Sequence, residues 1–384
     1  MTHPKIGIYV GVGASHSWIW FVDTFERLGL YDLIFVNEDN MDSILGSLDV
    51  LAIGGGDTYT IAGGLGPKKL NSISNFIRDG GLYIGTCAGA YLPLCSSKEM
   101  LCWFNVVEAK INNLSKFLPE PKQMREKYCV SYGCDLIYHP VRGPLKVKMN
   151  GRSIIAPLYG GPPMMAYNDV EELAHYEGFT DRTLFLVDEE LAKKTLFGRA
   201  AVIKKDFGQG CLYLFGPHFE HPEYPEANDV MLDTIIKNVI VKESKSPRRD
   251  RAPTSINRVN RVWLKDLKRE ISNSRIVANG IMMSPITWKI GQKIWEPEKF
   301  SYFIEGIWKR LPYLDNKDFF GEESPPELIC LSKETTLLLR DLKKGLKEGK
   351  DTTKIAEEAF YNLRMLTSGF FEIYLLCKRR EFLT

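Results

Sequence analysis

The stretch "LYIGTCAGAYLPL", residues 82–94, decides the fold of this chain. A short apolar run ends in glycine, and Cys87 stands between Gly85 and Gly89. A residue at the tip of a sharp strand-to-helix turn needs small neighbours, because strand and helix pack closely there. The pattern predicts a G-x-C-x-G nucleophile elbow, with a helix from Ala88 that lowers the pKa of the thiol. The alternative is a small buried cysteine that only packs.

Strands and helices alternate around this turn. We predict strands at residues 6–10, 31–37, 50–53 and 82–85, and apolar residues at helical spacing lie between them. Such alternation predicts an α/β fold, a flavodoxin-like parallel sheet with helices on both faces. From about residue 100 to 215 the strands are short and rich in turns. "RTLFLVD", "PLKVKMNG" and "GRAAVIKKDFGQGCLYLFG" are predicted strands, the last one a hairpin.

A cysteine nucleophile needs a base and a group that orients the base. In "GCLYLFGPHFEHPEYPE", residues 210–226, His218 follows an apolar strand, and Glu220 comes two residues later. We therefore predict His218 as the base and Glu220 as its orienting carboxylate. His221 and Glu223 form a second H-x-E, predicted to be a rim feature.

Glycines at strand ends predict an oxyanion hole. "AIGGGDTYT", residues 52–60, places Gly54 to Gly56 after a strand, where bare amides can approach a developing charge. "LYGGPP", residues 158–163, is a second active-site loop or a plain turn. "GVGAS", residues 11–15, has His16 where a dinucleotide fingerprint needs its third glycine. The predicted oxyanion and substrate-binding residues are Gly55, Gly56, Asp57, Ala88, Tyr159 and Gly160.

Composition sets the class of protein. The 384 residues are 44% hydrophobic and 26% charged, with a net charge of only +2, so bulk charge indicates no nucleic-acid or membrane partner. No C-x-x-C pair occurs among the eight cysteines, so no metal site is predicted, and no cofactor either. The amino terminus does not resemble a signal peptide, and no apolar run is long enough to span a bilayer. A cytoplasmic protein with reduced thiols is expected.

The length predicts two domains. We place an α/β domain at residues 1–243, a basic linker at 244–258, and a helical accessory domain at 259–384 that could bind a partner protein. Residues 245–270 hold nine basic and three acidic residues. A solvated linker and helix face is favoured over a nucleic-acid arm, because Trp263 is the only aromatic residue there.

The motifs "AIGGGDTYT", "GTCAGAYL" and "GPHFE" together resemble the class I glutamine amidotransferase-like superfamily. The greatest similarity is to the family named for the amino-terminal domain of biotin–protein ligase, over about residues 4–243. The resemblance implies Cys87 as nucleophile, His218 as base and Glu220 as orienter. The first two motifs are also similar to peptidase E and cyanophycinase, which use serine in place of Cys87. No G-R-G-R-x-G biotinyl-adenylate loop is present, so biotinylation is not implied.

Three functions remain open from the sequence. The first is a cysteine-dependent hydrolase or amidotransferase that acts on a small-molecule or peptide-like amide. The second is a binding or scaffold module with a degenerate amidotransferase fold. The third is a thiol-based stress or redox protein. The full Cys–His–Glu set favours the first.

Overall fold

The computed structural model describes residues 4–117, 139–239, 262–315 and 326–383. The chain forms two compact units. The first comprises Met1–Ile240 with Gly291–Ile294, and the second comprises Val241–Ile290 with Trp295–Thr384. The predicted domain boundaries stay a prediction, and the basic linker 244–258 lies outside the described residues.

One sheet organises the first unit. Its described strands are β1 (Ile6–Tyr9), β2 (Leu33–Val36), β3 (Val50–Ile53), β4 (Leu82–Thr86), β5 (Ala109–Ile111), β6 (Val141–Met149), β7 (Arg152–Leu158), β8 (Met164–Ala166), β9 (Glu171–Phe179), β10 (Leu184–Phe185), β11 (Ala200–Phe207) and β12 (Gly210–Phe215). The main path runs β10-β6-β9-β11-β12-β4-β3-β1-β2.

The five strands β2-β1-β3-β4-β12 are parallel and have the flavodoxin-like order. This confirms the predicted fold class. Leu82 of β4 pairs with Val50 of β3 on one side and with Cys211 of β12 on the other. The carboxyl ends of these three strands therefore meet at one edge of the sheet, and the loops that follow them lie side by side.

The sheet is mixed rather than wholly parallel. Strand β11 pairs antiparallel with β12 and β9, and β6 pairs antiparallel with β9 and β7. The β11–β12 hairpin turns at Gly208, whose φ of 69° suits glycine. The predicted strand in "RTLFLVD" is reduced to Leu184–Phe185 at the end of the main path.

The helices of the first unit are the crossovers of the parallel strands and additions to them. They are α1 (Trp18–Arg27), α2 (Met41–Ile44), α3 (Thr58–Arg78), α4 (Ala88–Tyr91), α5 (Glu189–Leu196) and α6 (Pro225–Asn238). The path from β1 to β2 and the path from β3 to β4 run in opposite directions along the sheet. Right-handed crossovers then place α1 and α3 on opposite faces. Helix α3 breaks at Gly66, with φ 63° and ψ 171°, directly before Pro67.

The second unit is helical, as predicted. Its described helices are α7 (Val262–Met282), α8 (Glu298–Trp308), α9 (Leu311–Asp315), α10 (Pro326–Lys347) and α11 (Thr353–Leu383). Phe300 of α8 stacks on Phe360 of α11 with 4.1 Å between ring centroids. A hairpin that the sequence analysis missed, β13 (Trp288–Ile290) and β14 (Lys293–Trp295), interrupts the helices. Its turn, Gly291–Ile294, groups with the first unit.

Candidate active site

Cys87 lies at the tip of the turn between β4 and α4. Its φ of 51° and ψ of −107° are a conformation that L-residues rarely adopt, so the turn holds it under strain. Its N–H donates to Phe215 O at 3.0 Å, which anchors the tip to the end of β12. The helix that follows is a single turn of four residues. Its dipole is therefore a weaker influence on the thiol than the sequence analysis assumed.

The glycines beside Cys87 are required by close backbone approach. A Cβ on Gly85 would lie 2.4 Å from Gly89 O, and a Cβ on Gly89 would lie 2.0 Å from Ile53 O. No side chain fits at either position without moving backbone. The elbow thus packs directly against its own strand and against the end of β3.

His218 follows β12 by three residues and is almost fully buried. Its N–H donates to Pro157 O at 2.8 Å, and its Nδ1 lies 2.6 Å from Glu220 Oε1. His218 also lies close enough to Cys87 that each side chain shifts the pKa of the other. The three predicted catalytic residues are therefore grouped around one imidazole.

Glu220 is fully buried and held from two sides. Thr86 Oγ1 donates to its Oε1 at 2.8 Å, and Thr24 Oγ1 donates to its carbonyl oxygen at 2.7 Å. Its Oε2 has no hydrogen-bond partner among the described residues. Thr86 escaped the sequence analysis, although its place directly before the cysteine puts it at the same sheet edge.

The electrostatics favour a thiolate–imidazolium pair. Burial alone would raise the pKa of Cys87, but the charge of His218 and the hydrogen bond to it, with a further contribution from Lys293, lower it. Burial alone would lower the pKa of His218, but Glu220 and Cys87 raise it. Each member of the pair thus stabilises the charged form of the other.

The second H-x-E occupies a different position. His221 packs against Trp20, with ring centroids 4.3 Å apart, and its Nδ1 accepts from the N–H of Glu223 at 3.3 Å. Burial and the neighbouring charge of His218 lower the pKa of His221 to about 3, so its ring is neutral at physiological pH. Glu223 is exposed.

The loop after β3 brings bare amides to the site. A Cβ on Gly55 would lie 2.8 Å from His218 Cε1, so this glycine borders the imidazole. A Cβ on Gly56 would lie 2.2 Å from Gly13 O. Within the described parts of the chain, the N–H groups of Gly55, Gly56 and Ala88 make no hydrogen bond. They are the donors that an oxyanion could use.

Asp57 has a structural role that the sequence analysis did not foresee. Its Oδ1 caps α3 by accepting from the N–H groups of Tyr59 and Thr60, at 3.0 and 3.2 Å. Its Oδ2 accepts from the N–H of Gln292 at 2.6 Å. Both carboxylate oxygens are thus engaged with backbone, and a substrate contact by Asp57 stays a prediction.

Tyr159 and Gly160 lie in the loop after β7, next to His218. The ring of Tyr159 lies 5.6 Å from that of His218, between centroids. Gly160 has a φ of 116°, and its carbonyl accepts from Tyr91 OH at 3.1 Å. A Cβ on the next residue, Gly161, would lie 1.7 Å from the backbone of the β12 end. This packing makes the loop part of the site wall.

Lys293 is a second residue of the site that sequence reasoning missed. It belongs to the short segment Gly291–Ile294 of the first unit, and its Nζ donates to Gly56 O at 3.2 Å. Gly291, whose φ is 62°, indicates a turn in the sequence. No local pattern indicates that this turn contacts the GGGD loop.

The "GVGAS" loop binds a carboxylate of the chain itself. Glu38 Oε1 accepts from the N–H of Val12 at 2.8 Å and from Tyr9 OH. A Cβ on Gly11 would lie 2.4 Å from that same oxygen. The glycine therefore makes room for Glu38.

Among the described residues, no three His, Cys, Asp or Glu side chains are grouped so that they could hold a metal ion. In those same parts of the chain, no helix combines the length and the apolar character that crossing a membrane requires.

Comparisons with solved structures give distant neighbours. A GMP synthase subunit-like protein from Thermoplasma acidophilum is 17% identical, with a TM-score of 0.38, and covers 61% of this chain and 94% of its own. A cytoplasmic protein from Salmonella typhimurium LT2 is 9% identical, with a TM-score of 0.38 and coverage of 61% and 99%. A β-galactosidase from Bacillus circulans sp. alkalophilus is 13% identical, with a TM-score of 0.35 and coverage of 62% and 30%.

Comparison with sequences is more specific. No curated protein sequence matches the chain. One family model does match, and it covers the GGGD loop and the Cys87 elbow but not His218 or Glu220. The resemblance predicted from the motifs is thereby confirmed for this part of the chain: residues 5–113 match the family described as biotin–protein ligase, N terminal.

Proposed function

We propose that this protein is a cysteine-dependent hydrolase or amidotransferase that acts on an amide or related acyl bond. The observation that carries the proposal is the grouping of Cys87, His218 and Glu220, with 2.6 Å between His218 Nδ1 and Glu220 Oε1 and a mutual influence of Cys87 and His218 on their pKa values. The set lies at the carboxyl ends of adjacent parallel strands, where ligands bind in open α/β sheets.

The strained backbone of Cys87 argues against a cysteine retained only for packing. A φ of 51° at a residue other than glycine costs about 1–3 kcal/mol, and a packing role gives no reason to keep it. A binding module has no chemical need for a buried carboxylate that orients a histidine. A nucleophile needs both features, because the turn exposes the sulfur to the site and the histidine keeps it ionised.

The proposed reaction follows from the ion pair. The Cys87 thiolate attacks the substrate carbonyl carbon, and the carbonyl π electrons move to oxygen. The N–H groups of Gly55, Gly56 and Ala88 stabilise that oxyanion. As the tetrahedral intermediate collapses, the imidazolium of His218 protonates the leaving amine, and an acyl-enzyme remains. Water, deprotonated by His218, then attacks the thioester carbonyl, the Cys87 thiolate leaves, and the acid is released as the thiolate–imidazolium pair is restored.

The first experiment measures how the alkylation rate of Cys87 depends on pH. Iodoacetamide should alkylate Cys87 at neutral pH with a rate that falls only below the lowered pKa of its thiol. Cys211 is the matched buried thiol, because burial raises its pKa to about 11 and it should stay unmodified. Peptide mapping of the full-length protein measures both rates. Modification of Cys211 before Cys87 would contradict the proposal.

Turnover is the second experiment. Glutamine, aspartyl dipeptides and simple acyl esters are the substrates to screen. On whichever is cleaved, Cys87→Ala and His218→Ala should each remove most of the activity, and the double variant should be little worse, because such residues act as a unit. His221→Ala is the control and should retain activity. Full turnover by Cys87→Ala would exclude the covalent mechanism.

A further inference from the structure

The turn of the β13–β14 hairpin is fitted to the GGGD loop. Gln292 N–H donates to Asp57 Oδ2 at 2.6 Å, and Lys293 Nζ donates to Gly56 O at 3.2 Å. Gly291 completes the fit, because a Cβ there would lie 2.5 Å from Asp57 Oδ2 and 2.5 Å from Thr60 Oγ1. Three consecutive residues thus contact two neighbouring loop residues and the helix that follows them.

These contacts fix one peptide plane next to the oxyanion donors. The carbonyl of Gly56 accepts from Lys293, and the N–H of the same peptide, that of Asp57, donates to Gly13 O at 2.9 Å. The peptide between Gly56 and Asp57 is thus held at both ends, and the Gly55–Gly56 peptide, which carries the Gly56 N–H, is held by Ser15, whose N–H donates to Gly55 O at 3.0 Å. Lys293 therefore contacts the loop directly beside the predicted oxyanion donors.

The ammonium of Lys293 has more N–H donors than the described residues use. It carries three N–H groups, and Gly56 O is the only acceptor it meets within the described residues. It is half-buried, and its positive charge lowers the pKa of both Cys87 and His139. The charge is therefore felt at Cys87 and at His139, which lies against Gly160.

The carboxylates nearby are engaged with other groups. Glu220 bonds to His218 and Thr86, Asp57 bonds to backbone N–H groups, and Glu38 bonds to the Val12 N–H. The Lys293 charge thus lacks a dedicated counter-ion among these acids. An ammonium beside a nucleophile, with N–H groups that the described residues do not use, can bind an anionic group of the substrate.

We infer that Lys293 forms an anion subsite beside Cys87, so that the substrate of this site is an amide that carries a carboxylate near the scissile bond. The inference rests on the proposed function, since it takes Cys87 as the nucleophile. It adds the substrate class and a specificity residue from a segment remote in sequence.

Two alkylating reagents of similar size but different charge test the subsite. Iodoacetate is anionic and iodoacetamide is neutral, and both react with the Cys87 thiolate. The ratio of their rates cancels any change in the thiolate itself and leaves the attraction for the anion. In Lys293→Met, the iodoacetate/iodoacetamide ratio at Cys87 should fall about three- to tenfold, as expected for loss of one nearby charge. Lys293→Arg should keep the ratio close to that of the wild-type protein.

Lys289→Met is the matched control, because it removes the same charge from an exposed position of the same hairpin. It should leave the ratio unchanged. Should Lys293→Met fail to fold, the wild-type ratio in rising NaCl is the substitute measurement. It should fall toward that of free cysteine, because chloride screens and competes for the ammonium.

A ratio unchanged in Lys293→Met, or unaffected by salt, would overturn the subsite. This outcome is distinct from failure of the proposed function. Failure of that function would appear as a Cys87 that neither reagent modifies at neutral pH in the wild-type protein. With a cleaved substrate in hand, Lys293→Met should raise KM more for carboxylate-bearing amides than for neutral esters.

Discussion

Replacing Cys87 by glycine should harm the fold no more than replacing it by alanine. Alanine keeps the conformational strain of φ 51° and ψ −107°, whereas glycine adopts these angles freely. At an ordinary buried position, the glycine variant is clearly less stable than the alanine variant. The comparison therefore tests the elbow without any knowledge of a substrate.

The magnitude follows from a second buried cysteine. At an ordinary strand position, replacing alanine by glycine lowers the free energy of unfolding in two ways. The lost burial of a methyl group costs about 0.8 kcal/mol, and the greater backbone freedom of glycine in the unfolded chain costs about 0.5–1 kcal/mol. Cys211 in β12 is such a position: it is 6% exposed, against 5% for Cys87, and it has no positive φ. The two losses cancel when the sites are compared. What remains is the strain at Cys87, about 2 kcal/mol.

Urea denaturation of four full-length variants, Cys87→Ala, Cys87→Gly, Cys211→Ala and Cys211→Gly, measures the free energies of unfolding. Glycine should destabilise relative to alanine by about 1.5 kcal/mol at Cys211. At Cys87 the two variants should be about equal, or glycine slightly more stable. An equal loss at both sites would refute the strained elbow and, with it, the main argument against a packing cysteine.

Three further outcomes are expected. In His218→Ala, burial is left to raise the pKa of Cys87, so alkylation at pH 7 should become at least tenfold slower and begin at higher pH, as a pH–rate profile would show; an unchanged profile would contradict the ion pair. Glu220→Gln removes the main charge that raises the pKa of His218, so the alkaline limit of activity should move to lower pH, with a rate loss of roughly 10²- to 10⁴-fold; an unmoved limit would contradict its role. Gly89→Ala should destabilise by more than about 3 kcal/mol in urea, because backbone must shift, while Gly46→Ala, which meets nothing within 4 Å, should be close to neutral; similar values for both would show that the close approach is absent.

Features encoded by adjacent residues could be predicted from the sequence. The small neighbours of Cys87 are such a feature, and so is the placement of a histidine at the end of an apolar strand. The carboxyl ends of parallel strands lie at the same edge of the sheet. His218 could therefore be predicted to lie near Cys87 without knowledge of the loops that connect their strands. For the same reason the fold of the five parallel strands could be predicted.

Other parts of the site depend on contacts that sequence spacing does not encode. Lys293 lies 206 positions after Cys87, in a segment where helical periodicity dominates the pattern. Asp57 could be read as a ligand or as a helix cap, and only its contacts distinguish these roles. The antiparallel half of the sheet was partly missed because its strands, such as β7 and β9, alternate polar and apolar residues irregularly.

The first unit is built from two segments that are far apart in the sequence. This arrangement affects how the protein folds during its synthesis. Strand β12 ends at Phe215, so the ribosome must add 78 more residues before Lys293 is made. At ordinary elongation speeds this interval is on the order of ten seconds. During that time the sheet and the Cys87–His218 pair can form, while the GGGD loop still lacks the segment that holds it. A nascent or prematurely terminated chain would therefore carry a folded sheet with an incomplete candidate site, and translation of the hairpin would complete this site.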